Sequence, residues 1–198
     1  MMPKINRVVE KKDLIPIEDY AKNRRSLRKT LIEYKKKRKI SIGPYATFYF
    51  ESFETMLGQI QEMLYIEKGG EDQLKDELNA YNPLIPKGKE LIATLMFEID
   101  DPTLRADFLS KVGGIEKNIY LHIDSEKIKA IPEKDVDRTS AEGKASSVQF
   151  LHFSFLDKQI KKFRETTTKL KLSISHDLYN HTIEIPEEIR KALQEDFI

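Results

Sequence analysis

The sequence predicts an α+β protein, mainly an antiparallel β-sheet of about seven to eight strands with several flanking helices. Short segments alternate apolar and polar residues with period two, which is typical of half-buried strands. Segments of helical periodicity interrupt them irregularly, unlike the regular alternation that builds parallel sheets. With 198 residues, 39% of them hydrophobic, the chain is long enough for a real core. We expect an N-terminal tail over 1–12 and a single domain over 13–198.

The first half of the chain predicts three helices and one hairpin. Gly43-Pro44 joins the strands of the hairpin, and a stripe of apolar residues at helical spacing marks the second helix. The third helix stops before Pro83, because the residue preceding a proline disfavours the α region. In order, we predict a helix over 13–38, strands over 39–43 and 46–51, and helices over 53–67 and 71–80.

The second half predicts more strands and shorter helices. Asp101 caps a short helix that has Pro102 in its first position. Residues 133–145 are polar and aperiodic, which predicts a loop. The predicted strands cover 91–99, 119–123, 127–131, 147–155, 170–176 and 181–185, with helices over 157–165 and 186–197.

Composition excludes several chemistries. The chain has no cysteine, which rules out disulfides, a catalytic thiol and cysteine-ligated iron–sulfur clusters. Iron or another divalent metal would need histidine, carboxylate or backbone oxygen ligands. No segment approaches the ~18 consecutive apolar residues of a transmembrane helix, and the first residues lack an apolar signal region. We therefore expect a cytoplasmic protein without membrane contact.

The C-terminal hairpin is the most informative segment for function. His176 continues the apolar face of its first strand, and His181 begins the apolar face of its second. A four-residue loop over 177–180 would place the two histidines directly opposite each other. Their Cβ atoms would then lie ~4.5–5.5 Å apart, close enough for both imidazoles to bind one metal ion.

Two interpretations of these histidines stay open. Either both are core-edge side chains bonded to a carbonyl or carboxylate, or they are metal ligands that need carboxylates from elsewhere. Glu67 is the candidate carboxylate, because at ~100° per residue it falls within the apolar stripe of helix 53–67. A carboxylate there must be paired with a cation, bound to a metal or placed at the end of the helix. The nearby Gly69 favours a position at the helix end.

Residues 22–39 form a strongly basic segment. Nucleic-acid phosphates, an acidic protein partner or plain solvent could each face this stripe. The net charge of only +1 and the lack of base-reading motifs disfavour nucleic acid. The acidic segments 51–54 and 71–77 are candidates to cover the stripe within the molecule. Its ten cations, set against the single acid Glu33, are Lys22, Arg24, Arg25, Arg28, Lys29, Lys35, Lys36, Lys37, Arg38 and Lys39.

Standard catalytic and nucleotide-binding motifs are missing from the sequence. His152 lies on a strand with two apolar faces, so the sequence leaves the direction of its side chain open. His122 is expected on an outer strand face, and Glu98 is expected as a solvated or edge carboxylate.

Several segments together resemble an uncharacterised bacterial family known only as a domain of unknown function. The resemblance runs from residue 13 to the end of the chain. Its most specific parts are AYNPL at 80–84 and HxxYxH at 176–181. The matching residues are Gln61-Glu62-Met63-Leu64, Glu67, Glu77-Leu78, Ala80-Tyr81-Asn82-Pro83-Leu84-Ile85-Pro86, Leu91, Ala93-Thr94-Leu95, Glu98, Ser147-Val148, Phe150-Leu151, His176, Tyr179 and His181.

The resemblance implies a setting but no mechanism. Members are often encoded beside rubrerythrin-like proteins and iron–sulfur oxidoreductases similar to heterodisulfide reductase subunits, which suggests redox or iron metabolism. The family has no established catalytic residues. Where members often have a histidine inside the SVxFL segment, this chain has Gln149, which weakens a shared metal site.

The leading expectation is an accessory or binding protein of a redox or iron-related system, with an acidic or redox protein partner. In one version it holds a metal at His176 and His181, with Glu67 as a further ligand. One alternative is an enzyme whose pocket lies between that hairpin and helix 53–67. The other is a nucleic-acid-binding protein that acts through residues 22–39.

Overall fold

The computed structural model describes residues 7–133 and 143–198 and confirms the α+β class. These residues form six α-helices, nine strands and four short 3-10 helices. The helices are α1 (Ile17–Lys36), α2 (Phe53–Glu67), α3 (Gly70–Tyr81), α4 (Pro102–Lys111), α5 (Asp157–Arg164) and α6 (Glu187–Leu193). The strands are β1 (Lys39–Ile42), β2 (Ala46–Phe50), β3 (Glu90–Phe97), β4 (Ile119–Ile123), β5 (Glu126–Lys129), β6 (Ile131–Pro132), β7 (Val148–Ser154), β8 (Leu170–His176) and β9 (Tyr179–Glu184).

The strands form two antiparallel sheets that pack face to face. Sheet A has the order β1-β2-β3-β7-β6, and sheet B has the order β5-β4-β8-β9. Their inner faces meet in the main core, where Phe48, Leu95 and Phe153 of sheet A share one cluster with Leu121 and Leu172 of sheet B. Alternation along each strand puts these side chains on one face, so the period-two pattern positions the core.

The outer face of sheet A carries a helical layer. Ile92 and Phe150 point away from sheet B into a second core, which includes Met56 and Ile60 of α2. Helix α1 packs along α2, and α2 packs along α3. Sheet A therefore lies between α2 and sheet B. In the described residues this sheet separates helix 53–67 from the C-terminal hairpin, the two elements between which the enzyme alternative expected its pocket.

Local signals set the bounds of α2 as predicted. Ser52 caps the helix by accepting a hydrogen bond from the Thr55 amide, and the Ser52 amide in turn donates to the Thr55 hydroxyl oxygen. Such a reciprocal cap satisfies two otherwise free donors. At the other end, Lys68 takes a left-handed conformation with φ 56°.

Helix α1 is shorter than the predicted span 13–38. It begins after Pro16 and ends at Lys36. Arg38 is 1% exposed, and its guanidinium donates to the carbonyls of Phe50 and Glu51 and pairs with Asp196. Because the helix ends at Lys36, the Arg38 side chain can reach these buried acceptors.

The described part of the predicted tail, residues 7–12, lies against the domain. Val9 is buried in the second core, and the Arg7 guanidinium donates to the Pro86 carbonyl over 3.0 Å. Residues 1–6, and 134–142 of the predicted loop, lie outside the described residues. Over the two ranges that the structure covers, no helix is long and apolar enough to cross a bilayer.

Candidate functional site

The C-terminal hairpin has a two-residue turn rather than the predicted four-residue loop. Tyr179 already belongs to β9 and pairs with His176, while His181 pairs with Ile174. The expectation that the two histidines lie directly opposite each other is therefore wrong. The register leaves both on the same face of the sheet as diagonal neighbours, a relation that separates residues by ~7–8 Å.

The hydroxyl group of Tyr179 makes three hydrogen bonds that hold this residue in strand β9. The oxygen accepts hydrogen bonds from the amides of Tyr45 and Ala46, both at 3.0 Å, and donates to the Ile42 carbonyl at 2.7 Å. These three groups belong to the turn between β1 and β2. The tyrosine of HxxYxH thus attaches β9 of sheet B to a hairpin of sheet A.

The two histidines have different surroundings. The His181 ring packs against the Tyr179 ring, with centroids 4.6 Å apart, and a Cβ atom at Gly43 would lie 2.6 Å from His181 Cδ2. Gly43 also has φ 64°, a conformation that glycine adopts without strain. The His176 Nδ1 atom accepts a bond from the Leu178 amide within the turn. His181 is thus part of the packing of the β1–β2 turn.

Glu67 does not join the histidines. It is exposed at the last residue of α2, and its carboxylate accepts a hydrogen bond from Gln73 Nε2 over 3.1 Å. Across residues 7–133 and 143–198, no group of three or more histidine and acidic side chains could hold a metal ion. A metal at His176 and His181 stays a prediction, and the helix-end interpretation fits Glu67.

The AYNPL segment has a contact of its own. The Asn82 side chain accepts a hydrogen bond from the Val9 amide at 2.8 Å and donates to the Val9 carbonyl at 3.1 Å. Lys87 Nζ adds a bond to the Arg7 carbonyl at 2.6 Å. The side chains of Asn82 and Lys87 therefore bond to backbone groups of residues 7–9, as a neighbouring strand would, and hold this segment on the domain.

Sequence reasoning missed a histidine–carboxylate cluster on the outer face of sheet A. The Nδ1 atom of His152 lies 3.2 Å from Glu90 Oε2, and its Nε2 atom lies 2.6 Å from Glu133 Oε2. We call these three residues the His152 cluster. Its members stand at the start of β3, in β7 and directly after β6. Their separations in sequence, 62 and 19 residues, follow no motif, so only the strand pairing reveals the cluster.

The cluster shifts the acid–base behaviour of its members. The hydrogen bond to Glu90 raises the pKa of His152; burial opposes the rise, and the bond to Glu133 adds to it. Burial would raise the pKa of Glu90, but the bonds from His152 and the Lys87 amide hold it below its usual value. Each side chain is about one-fifth to one-quarter exposed, so the cluster is reachable from solvent.

Most cations of the basic segment have partners within the molecule. Glu62, on the side of α2 away from its apolar stripe, binds Arg24 and lies 3.6 Å from Arg28. Lys37 lies 3.7 Å from Glu188, and Arg38 pairs with Asp196. Across the fold, the carboxylates within 4.0 Å of the basic segment in the described residues are Glu62, Glu188 and Asp196. The predicted segment 51–54 contributes the Glu51 carbonyl, which accepts from Arg38.

The fold and these contacts define the class of protein: two face-to-face antiparallel sheets with a helical layer on one of them. The chain belongs to the family described as protein of unknown function DUF3501, whose model matches residues 8–197. The resemblance seen in the sequence is thereby confirmed.

A solved structure shares this fold over its whole length. It is the 1.90 Å crystal structure of a novel protein of unknown function from Burkholderia pseudomallei K96243. It is 34% identical to this chain with a TM-score of 0.89, and the match covers 96% of this chain and 100% of that one. No curated protein matches the chain.

Proposed function

We propose that this protein is a cytoplasmic accessory protein of a redox or iron-related system, and that it docks an acidic protein partner through α1. The redox or iron setting rests on the family resemblance. The docking role is supported by one observation, a row of cations along the face of α1 that points away from α2.

This row, the outer stripe, comprises Lys22, Arg25, Lys29, Ile32 and Lys36. Its members are three or four residues apart, so they share one helix face. Lys22 and Lys36 pair with Asp19 and Glu33 one turn away. Within the described chain, neither Arg25 nor Lys29 has an acidic side chain within 4.0 Å, and Ile32 is 52% exposed.

On the opposite face of α1, which packs against α2, the polar side chains have hydrogen-bonding and ionic partners within the molecule. Tyr20 is buried there and donates to Glu62, which also binds Arg24. The contrast separates cations that hold α1 on α2 from cations that are free for another molecule. An acidic surface with a small apolar depression would complement the outer stripe, because complementary charge steers association and Ile32 would supply burial.

The test is calorimetric titration with a purified, acidic rubrerythrin-like protein at low and physiological salt. Arg25→Gln with Lys29→Gln should weaken binding by about tenfold at low salt and less at high salt, because screening reduces the contribution of exposed charges. Ile32→Ser should weaken binding equally at both salt concentrations. Neither variant should lose thermal stability, since the altered side chains lie on the exposed face of α1.

A matched control makes the same charge change away from α1. Lys117→Gln with Lys161→Gln, both exposed, should leave the affinity within about twofold. If both double variants weaken binding equally, the loss of affinity reflects net charge alone, and docking through the outer stripe is contradicted. Failure of the wild type to bind, or tighter binding to a DNA duplex than to the protein, would also contradict the proposal.

A further inference from the structure

The strand β6 is weakly attached to its sheet. It has two residues, lies at the edge of sheet A and, within the described residues, pairs with β7 alone. Directly after it, the Glu133 amide donates to the Phe150 carbonyl over 3.0 Å, and directly before it the Ala130 amide donates to the Ile119 carbonyl over 2.9 Å. Beside these few backbone bonds, the contact between the Glu133 side chain and His152 ties the end of β6 to β7.

That contact depends on a proton. Each ring nitrogen of His152 faces a carboxylate oxygen, and both nitrogens can donate only when the imidazole is protonated. A neutral ring donates from one nitrogen and turns the lone pair of the other toward a carboxylate. Loss of one proton therefore converts one of the two hydrogen bonds into a repulsive contact.

The surroundings decide which bond is lost. Glu90 is fixed by the Lys87 amide, which donates to its second oxygen over 3.2 Å, and the Lys87 cation favours its ionised form. Arg7, the next cation, acts on Lys87. From β6, Glu133 is the acidic group that reaches the ring. Glu90 is thus held in place from two sides, whereas Glu133 follows a two-residue edge strand. Loss of the ring proton therefore releases Glu133, although its contact of 2.6 Å is shorter than the 3.2 Å contact of Glu90.

We propose that protonated His152 fastens β6 to β7 through Glu133, and that loss of this proton frees the edge strand. The direction follows from linkage. Because the folded protein binds the imidazole proton more tightly than the usual value of 6.5 implies, the attachment is complete below pH 6.5. It is lost as the pH rises through the higher folded value. This inference is independent of the outer stripe.

The test must be local. Burial raises the pKa of Asp196 to about 6 against the pull of Arg38, so global stability changes over the same pH range. We therefore choose the protection of the Glu133 amide against hydrogen exchange, corrected for intrinsic exchange rates. The Ile185 amide, bonded to the Leu170 carbonyl in sheet B, is the internal reference.

Between about pH 6 and pH 8, protection at Glu133 should fall about tenfold for each unit by which closure raises the pKa of His152. Protection at Ile185 should follow the change in global stability alone, so the local effect is the fall in the ratio of protection at Glu133 to protection at Ile185. His152→Gln should abolish the pH dependence at Glu133. His122→Gln is the matched control, because His122 is also a half-buried strand histidine, but it bonds to the Ser173 hydroxyl.

A second variant covers the case in which His152→Gln does not fold. Glu133→Gln should lower the pKa of His152, measured by NMR titration, and should weaken protection already at pH 6. A titration of wild-type His152 at or below 6.5, or Glu133 protection that does not change with pH, would overturn the proposal. So would an equal loss of pH dependence in His122→Gln.

Discussion

Replacing Tyr179 by phenylalanine should destabilise the protein through the hydroxyl group alone. Phenylalanine keeps the ring contacts with Phe97, Phe108 and His181. It removes the atom that binds the amides of Tyr45 and Ala46 and the carbonyl of Ile42. This single oxygen adds a hydrogen-bonded link between the HxxYxH segment and the β1–β2 hairpin to the apolar core that the two sheets share.

The magnitude follows from the burial of its partners. Ala46 and Ile42 are each 1% exposed, so water cannot readily replace the lost partner. A buried polar group left without a partner costs about 1–3 kcal/mol, and three groups give about 3 kcal/mol at the lower end of that range. For a chain of this size, about 3 kcal/mol corresponds to a fall in melting temperature of about 6–12 °C.

Urea unfolding and thermal melts of Tyr179→Phe measure this loss directly. Tyr49→Phe is the matched control, because its hydroxyl donates to the Glu98 carboxylate over 2.7 Å at an exposed site, where water can replace its partners. It should cost less than about 1 kcal/mol. Equal losses in the two variants, or a loss below about 1 kcal/mol in Tyr179→Phe, would refute the role of this hydroxyl.

Two further changes test contacts that the sequence did not reveal. Glu62→Gln should lower the melting temperature near pH 7, and the difference from the wild type should shrink as the pH falls below 4.5. Hydrogen bonding from Arg24, opposed by burial, keeps the pKa of Glu62 below its usual 4.5, so its contribution is present above pH 4.5 and disappears as the pH falls through the lower folded value. Gln149→Met should stabilise the protein by about 1 kcal/mol in urea unfolding, because an orphan buried acceptor carries a desolvation cost. Gln149 is 0% exposed, its Nε2 atom donates to the Ser146 carbonyl over 3.3 Å, and among the described residues its Oε1 atom has no donor. Destabilisation by methionine would show that the bond to Ser146 outweighs the desolvation cost of the oxygen.

The sequence predicted secondary structure best where local signals agree. The bounds of α2 match because its cap and its apolar stripe lie within its own residues. The cap of α4 by Asp101, which accepts from the Leu104 amide over 2.8 Å, follows from the same kind of local chemistry. The predicted end of α1 was wrong because the Arg38 guanidinium donates to acceptors that are distant in the sequence. The nearest of them, the Phe50 carbonyl, is 12 residues away.

The C-terminal hairpin shows the limit for functional sites. Alternation correctly put His176 and His181 on one face, since strand periodicity is local. The turn length was decided elsewhere, by the hydroxyl partners of Tyr179 in the β1–β2 turn. This register places the two histidines diagonally instead of directly opposite each other, which widens their expected separation from ~4.5–5.5 Å to ~7–8 Å.

The sequence by itself determined the α+β class, most of the elements, the absence of cysteine chemistry and the family. These properties depend on composition, on periodicity and on signals a few residues apart. The tertiary structure alone decided which charges meet. Glu62 of α2 binds Arg24 of α1, and His152, whose direction the sequence left open, meets Glu90 and Glu133. The physical reason is that ion pairs and strand edges join residues distant in the chain, and only the sheet register brings them within hydrogen-bonding distance.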